Sequence, residues 1–335
     1  MTRILIATSD RQAGGIERAL RDQLTLLQDM PEAEINILAP PSRLADHAKD
    51  ANIPLHELGQ AQRIVARYLP ALAFWSQRRQ PFDIILCHNG FLARALRPVG
   101  HRIIGICHND KPQQFHGCDE LVCLTASGLA KAKAAGWAAD RLHQIGHYHE
   151  GQAEANITPI NRPLRVGAAG RMVKKKNLAG FIDIAAEVKQ RQPDIIFECG
   201  GRGEDEQALA AYNASKGSPV TFRGWVEFTP FLQSLDLFVI PSFDEPFGFV
   251  FPEAMSHGVG ILASDSFGAH HCLEDGQIAP IFKPSDCTSF ADKICELAAD
   301  EPALQALKAA CLARAHHPIF AKETAAKAWR ALLFQ

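Results

Sequence analysis

The 335-residue sequence has no apolar run long enough to cross a membrane, and Met1–Ala7 lead straight into a predicted strand rather than a secretory leader. The formal net charge is only −2, so no overall electrostatic attraction to nucleic acid is expected. The dinucleotide fingerprint G-x-G-x-x-G is also missing, which disfavours an oxidoreductase. These absences favour a cytoplasmic protein that does not bind nucleic acid.

The sequence also lacks cysteines and histidines at the spacing that is typical of a metal site. The nine cysteines are scattered and never form C-x-x-C, so reduced core thiols are expected rather than disulfides or zinc. Three histidine pairs lack a ligand pattern, and we interpret them as surface or interface residues: His147 with His149, His270 with His271, and His316 with His317. We therefore predict no metal and no cofactor.

The chain does have the size and the pattern of two α/β domains. Predicted strands alternate with amphipathic helices, which favours parallel sheets. The strands are placed at Arg3–Thr8, Glu34–Leu38, Pro54–Leu58, Phe82–Cys87, Arg102–Cys107, Glu120–Leu124, Asp194–Cys199, Leu235–Ile240 and Ile278–Phe282, with others starting at Leu164 and ending at Phe222. Helices are expected from about Thr288 to Ala315. Periodicity lapses between Gly151 and Pro163, which indicates an interdomain connection.

The stretch Pro241–Glu253, PSFDEPFGFVFPE, follows the buried strand Leu235–Ile240. It therefore begins at a strand's carboxyl end, where open α/β sheets bind ligands. Glu245 and Glu253 could accept hydrogen bonds from sugar hydroxyls, and Gly248 would let backbone amides approach anionic oxygens. Together these groups suit a nucleotide sugar.

This stretch resembles the E-x7-E signature of glycosyltransferase family 4, retaining enzymes with the GT-B fold. The resemblance implies an α/β fold of two facing Rossmann-like domains. They would be an acceptor-binding domain at 1–155 and a donor-binding domain at 156–318, with a last helix at 319–335 crossing back to the first. It further implies Glu245 on the donor sugar, Glu253 on the ribose, and the amides of Gly248, Phe249 and Val250 on the diphosphate.

Two cations follow the strand that starts at Leu164. Arg171 and Lys176 lie five residues apart, where they would stabilise the charge that develops on a departing diphosphate. In the family that this sequence resembles, the residues that match Arg171 and Lys176 stabilise this charge without a divalent metal. The turn at Gly201 brings backbone close to a ligand. The resemblance also implies that backbone groups at Gly224, Trp225 and Val226 hold the nucleobase.

In the amino-terminal half, a glycine loop and a strand-end histidine stand out. Gly14 and Gly15 separate a strand from a helix, and the resemblance implies that this loop closes on the donor. His108 ends the strand Arg102–Cys107, at a place where the family commonly has a histidine facing the transferred sugar. His88, at the end of another strand, is a second candidate. Near the carboxyl end, His270 and His271 replace the family's usual Gly-Gly-x-x-Glu element.

Residues 62–80 combine arginines with aromatic side chains and could form a helix that contacts anionic lipid at the inner face of the membrane. The aromatics could equally be buried, and Pro70 interrupts the pattern. The sequence thus predicts a metal-independent glycosyltransferase acting on a nucleotide-sugar donor and a glycan or glycolipid acceptor. The alternatives are a nucleotide-sugar-binding protein without turnover and a GT-B nucleotide-sugar epimerase.

Overall fold

The computed structural model describes residues 1–11, 14–74, 81–149, 157 and 159–335, without the side chains of 71 and 72. The chain divides into two compact units. The first unit is Met1–Tyr148 with Ala321–Gln335, and the second unit is His149–Phe320. The predicted limits at 155/156 and 318/319 stay predictions, and the first of them lies outside the described residues.

Seven parallel strands form the sheet of the first unit, in the order β3-β2-β1-β4-β5-β6-β7. The inner strands have continuously buried segments, such as Ile4–Ala7, because helices cover both faces of a parallel sheet. The strands are β1 Thr2–Ala7, β2 Ala33–Ala39, β3 Leu55–Glu57, β4 Phe82–Cys87, β5 Gly100–Cys107, β6 Glu120–Cys123 and β7 Leu142–Gln144.

The helices of this unit follow the strands in turn. They are α1 Gly15–Gln28, α2 Arg43–Asp50, α3 Gln60–Tyr68, α4 Pro70–Ala73, α5 Gly90–Leu96 and α6 Ala126–Ala134. The buried face of α1 carries Leu20, Leu24 and Leu27 at helical spacing, with Gln23 among them. A polar side chain is thus placed on an otherwise apolar helix face.

Six parallel strands form the sheet of the second unit, in the order β10-β9-β8-β11-β12-β13. They are β8 Arg165–Ala169, β9 Ile196–Gly200, β10 Thr221–Gly224, β11 Leu237–Ile240, β12 Gly260–Ser264 and β13 Ile281–Phe282. Every residue of β11 and β12 is buried, as expected of central strands covered on both faces.

The helices of the second unit are α7 Leu178–Arg191, α8 Glu206–Ser215, α9 Phe228–Gln233, α10 Val250–Ser256, α11 Phe267–Cys272, α12 Cys287–Ala299 and α13 Glu301–Ala315. The helices predicted from about Thr288 to Ala315 are α12 and α13, which are separated at Asp300. The Asp300 carboxylate accepts from the Ala303 amide and caps α13, and Pro302 occupies its first turn.

The last helix, α14 Lys322–Phe334, packs within the first unit. Its indole Trp329 is buried, and Arg102 Nη1 of β5 donates to the Leu332 carbonyl over 2.9 Å. Ion pairs join Lys322 to Asp29 and Arg330 to Glu32. No helix in the described ranges has the length and apolar character to span a membrane.

Each sheet has one place where the strand order reverses, between β1 and β4 in the first unit and between β8 and β11 in the second. Loops that leave neighbouring strands there diverge to opposite faces, so a crevice forms at their carboxyl ends. These two switch points carry most of the residues singled out from the sequence.

Candidate active site

An ion pair occupies the switch point of the second unit. Lys176, in the loop after β8, donates through Nζ to Glu245 Oε2, in the loop after β11. Only 18% of the Lys176 side chain and 12% of the Glu245 side chain is exposed. Desolvating two charges is costly, and their attraction offsets this only when they stay paired. The fold therefore holds a cation and a carboxylate together at the sheet edge.

Backbone contacts between the same two loops fix the pair. Asn177 adopts a left-handed conformation, φ 50°, and its Nδ2 donates to the carbonyls of Pro241 and Pro284, each over 3.0 Å. The Phe243 amide donates to the Lys175 carbonyl over 2.8 Å. Both segments are thereby anchored on either side of the Lys176–Glu245 contact.

Glycines allow three strand ends to approach one another. The Gly201 amide donates to the Gly224 carbonyl over 2.6 Å, and the Gly170 amide donates to the Gly200 carbonyl over 3.0 Å. A Cβ added to Gly201 would lie 2.0 Å from the Gly170 carbonyl oxygen, at a φ of +128°. Any side chain there would force these strand ends apart. Beyond this contact, Trp225 is 78% exposed and Val226 is partly buried.

Gly248 lies against Glu245 within the E-x7-E stretch. Its φ is +74°, and an added Cβ would lie 2.7 Å from both Glu245 Cγ and the Phe251 ring. The glycine thus permits the loop to fold over its own carboxylate, a packing reason that the sequence does not reveal. The stretch ends in α10, which includes the partly buried Val250 and Glu253, while Phe249 immediately before it is buried.

His270 and His271 have different surroundings. His270 hydrogen-bonds to Asp265 over 2.9 Å and to Asp275 over 2.8 Å. Burial, together with the nearby Arg314 guanidinium, lowers the pKa of His271 to about 4. The His271 ring lies 5.6 Å from that of Phe247, within the loop that carries Glu245.

The two predicted cations differ in their exposure to solvent. Lys176 contacts Glu245, whereas Arg171 is exposed at the end of β8. Lys174 and Lys175 are exposed as well. The roles assigned to these residues, and to Gly201, Gly224 and Glu253, stay predictions.

In the first unit, a chain of hydrogen bonds links His108 to two other elements. His108 Nε2 lies 2.7 Å from Nδ1 of His88, which follows β4, and His88 Nε2 lies 2.8 Å from Gln23 Oε1 of α1. The His147 ring is nearly parallel to His108, with centroids 5.6 Å apart. All four residues line a cavity of about 20 Å³, which is room for one water-sized group.

Burial favours the neutral form of the His88 and His108 imidazoles. Burial, and then the neighbouring His108 and His147, lowers the pKa of His88 well below its usual value. Burial alone lowers the pKa of His108 to about 4. In the described ranges, no group of three His, Cys, Asp or Glu side chains is arranged to hold a metal ion.

A polar network at the end of β1 leads toward the glycine loop. Asn89 Oδ1 accepts from the Ser9 amide over 2.6 Å, and Asn89 Nδ2 donates to Asp10 over 3.2 Å. Gly15 begins α1, and a Cβ on Gly14 would meet no described atom within 4 Å. Packing within the described residues therefore does not require glycine at position 14.

Sequence reasoning missed Gln23 and Asn177 as site residues and interpreted His147 as a surface or interface histidine. Gln23 did leave a signal, because a polar residue on the leucine face of a helix needs a buried partner. Nothing in the sequence indicates that His147 lies beside His108, since the short strand β7 before it was not predicted.

Comparison with solved structures identifies the fold. The solved structure of HepE from Anabaena, in complex with UDP and glucose, superimposes with a TM-score of 0.81 at 18% identity, covering 99% of each chain. TarM superimposes with a TM-score of 0.80 at 11% identity, covering 100% of this chain and 99% of that one. The chain has the GT-B fold. The predicted pair of Rossmann-like domains is therefore confirmed.

A protein-family model matches part of the second unit. Residues 163–300 match the family model described as Glycosyl transferases group 1. The lipopolysaccharide core biosynthesis glycosyltransferase LpsE of Rhizobium meliloti is 27% identical over 239 residues, 65% of each chain. The alpha-D-kanosaminyltransferase of Streptomyces kanamyceticus is 29% identical over 184 residues, 50% of this chain and 47% of that one. The chain thus spans less than two thirds of either relative.

Proposed function

We propose that the protein is a retaining glycosyltransferase of family 4 that moves a sugar from a nucleotide diphosphate sugar to an acceptor hydroxyl. The observation that carries the proposal is the Lys176–Glu245 ion pair at the switch point of a GT-B fold. A cation beside a carboxylate suits a substrate in which a diphosphate adjoins a polyol. Similarity to the lipopolysaccharide core biosynthesis glycosyltransferase LpsE supports a glycan or glycolipid acceptor.

In this proposal the donor binds to the second unit. Lys176 and Arg171 neutralise the diphosphate, Glu245 accepts hydrogen bonds from the sugar hydroxyls, and Glu253 accepts from the ribose. Backbone amides of Gly248–Val250 face the diphosphate, and those around Gly224–Val226 hold the base. The contact with Glu245 keeps Lys176 in place before the donor arrives, so less reorganisation is needed when charge develops.

The reaction proposed is a front-face displacement. The bond between the anomeric carbon and the diphosphate oxygen breaks, and its electron pair leaves with the diphosphate. The acceptor oxygen bonds to the same face of the sugar, and its proton passes to the departing phosphate. Because two protein cations stabilise the leaving group, we expect no divalent metal to be required. The acceptor is assigned to the first unit, with His108 near its hydroxyl.

Donor turnover is the test. Purified protein is incubated with several nucleotide sugars, and nucleoside diphosphate release is measured for the wild type, Lys176→Ala and Lys175→Ala. Slow hydrolysis of one donor that is lost only in Lys176→Ala supports the proposal. Binding of a donor without any release would instead identify a nucleotide-sugar-binding protein, and an epimerised nucleotide sugar would identify an epimerase.

We also propose that the 62–80 segment contacts anionic lipid at the cytoplasmic face of a membrane. Helix α3 and the residue after it expose Ile64, Tyr68 and Leu69, by 54%, 73% and 57%, with the exposed Arg67 beside them. Part of the predicted segment, residues 75–80, lies outside the described ranges. Large apolar side chains next to a cation suit an anionic bilayer surface.

Vesicle flotation tests this contact. The protein should float with phosphatidylglycerol vesicles and remain at the bottom with phosphatidylcholine vesicles. The variant Ile64→Ser/Tyr68→Ser should lose flotation and keep its melting temperature, because both side chains are exposed. Wild-type protein that stays at the bottom with both kinds of vesicle would remove the proposal.

A further inference from the structure

The hydrogen bonds between Gln23, His88 and His108 constrain which nitrogen of each imidazole carries the proton. Gln23 Oε1 is a carbonyl oxygen and only accepts, so the nitrogen 2.8 Å from it, His88 Nε2, must donate. In a neutral imidazole the other nitrogen is then an acceptor. His88 Nδ1 therefore accepts, and His108 Nε2, 2.7 Å away, must donate to it.

The ring geometry agrees with a hydrogen bond rather than with stacking. The planes of His88 and His108 differ by 18°, and their centroids are 4.9 Å apart, although two of their nitrogens are only 2.7 Å apart. Nearly parallel rings with such a short nitrogen contact meet edge to edge, as donor and acceptor do. His88 is also only 4% exposed, so it has little access to solvent as an alternative partner.

The remaining nitrogen of His108 is Nδ1. Its Nδ1 forms no hydrogen bond with a described residue, while the ring lines the 20 Å³ cavity beside His147 and Asp22. A neutral imidazole with Nε2 protonated has a lone pair at Nδ1. That atom can accept a hydrogen bond from a hydroxyl group.

We propose that Gln23, acting through His88, is a positioning residue that locks His108 in the Nε2–H tautomer and leaves Nδ1 as a hydrogen-bond acceptor for a hydroxyl of the acceptor next to the one that attacks. The part that concerns the hydroxyl rests on the proposed function; the tautomer assignment does not. Gln23 touches neither reactant, so its effect must pass through the two imidazoles.

Imidazole nitrogen resonances test the assignment without any substrate. Long-range proton–nitrogen spectra of protein with ¹⁵N-labelled histidine distinguish Nε2–H from Nδ1–H, and His88→Gln and His108→Gln identify the two sets of signals. Wild-type protein should show both His88 and His108 protonated at Nε2. Protonation of either ring at Nδ1 would overturn the proposal.

Variants of Gln23 test the coupling. Gln23→Leu removes the carbonyl acceptor, so both imidazoles should become tautomer mixtures, whereas Gln23→Glu keeps an acceptor and should keep the wild-type spectrum. Gln28→Leu makes the same change at an exposed position of α1 and should alter neither ring. Should Gln23→Leu not fold, Gln23→Met removes the carbonyl with a similar shape. Unchanged His108 signals in a folded Gln23 variant without the carbonyl would overturn the coupling.

The effect of Gln23 variants on the transfer rate is measured separately from their effect on the spectra. With the donor found by the hydrolysis screen and its acceptor, Gln23→Leu should lower kcat about tenfold or more while KM for the donor stays the same, and Gln23→Glu should recover most of the loss. An unchanged kcat with altered tautomers would overturn the role of Gln23 in transfer. Absence of turnover in the wild type would refute the proposed function and leave the tautomer result standing.

Discussion

The switch point of the second unit holds an ion pair, Lys176 with Glu245, whereas the one in the first unit leads to neutral imidazoles, His88 and His108. Both switch points lie at the carboxyl ends of parallel strands, between β1 and β4 in the first unit and between β8 and β11 in the second. The difference shows that topology supplies the place and the loop residues supply the chemistry. Fixed charges suit a diphosphate, and neutral donors and acceptors suit a hydroxyl.

The largest effect expected is on the charged side of this comparison. Lys176→Ala should reduce transfer about 10²- to 10³-fold, because the developing diphosphate charge loses a fixed cation in a partly buried site. Initial rates at saturating donor measure it. Lys175→Ala, an exposed neighbour in the same turn, is the control and should stay near the wild-type rate. Equal losses in both variants would mean that a general positive field, and not Lys176, acts on the donor.

The next effect is on the backbone that supports the charged site. Gly201→Ala should lower the free energy of unfolding by about 3 kcal/mol or more, because its Cβ would meet the Gly170 carbonyl at a left-handed φ. Urea denaturation measures it. Gly217 also has a left-handed φ, +82°, but a Cβ added there would meet no described atom within 4 Å. Gly217→Ala should therefore lower the free energy of unfolding by only about 1 kcal/mol. Equal costs would contradict the close approach at Gly201.

The neutral site should respond to acid. The pKa of His108 is about 4 in the fold, below the usual 6.5, so the unfolded chain takes up the proton first as pH falls. Its contribution to stability is therefore complete above about pH 6.5 and is lost progressively toward pH 4. When the pH is lowered from 7.5 to 5, the free energy of unfolding should fall less in His108→Gln than in the wild type, by on the order of 1–2 kcal/mol. His101→Gln, at an exposed histidine, should leave the loss unchanged.

The smallest effect expected is from metal removal. Transfer should keep its full rate in excess EDTA, because Lys176 and Arg171 are proposed to neutralise the diphosphate without a divalent ion. Rates before and after chelation, and after addition of Mg²⁺, measure this. Loss of activity in EDTA that Mg²⁺ restores would show that the protein cations are insufficient.

Much of the fold follows from local pattern. The bounds of β4, Phe82–Cys87, agree with the prediction because an apolar run ends there at a polar pair. Two strands were not predicted: β7, Leu142–Gln144, has only three residues, and β12, Gly260–Ser264, has only three consecutive apolar side chains, Ile261–Ala263. The break at Asp300 could have been found, since an aspartate two residues before a proline is a helix start signal.

The candidate site, like the fold, could be predicted from the sequence only in part. Lys176 and Glu245 were assigned to one site because both follow predicted strands, whose carboxyl ends bind ligands, and because both segments resemble glycosyltransferase family 4. The contact between His88 and His108 depends on register and rotamer, since Cys87 pairs with Gly105 and the two histidines are not opposite each other. Periodicity carries no information on which ring nitrogens meet. Gly248 likewise was assigned to ligand approach, whereas its packing constraint is the Glu245 side chain.

A crystal structure of the protein with an intact nucleotide diphosphate sugar tests the central claim most directly. The diphosphate should lie against Lys176 and Arg171, and hydroxyls of the sugar should donate to Glu245. A donor bound away from the carboxyl ends of β8 and β11, with the Lys176–Glu245 pair undisturbed, would contradict the account.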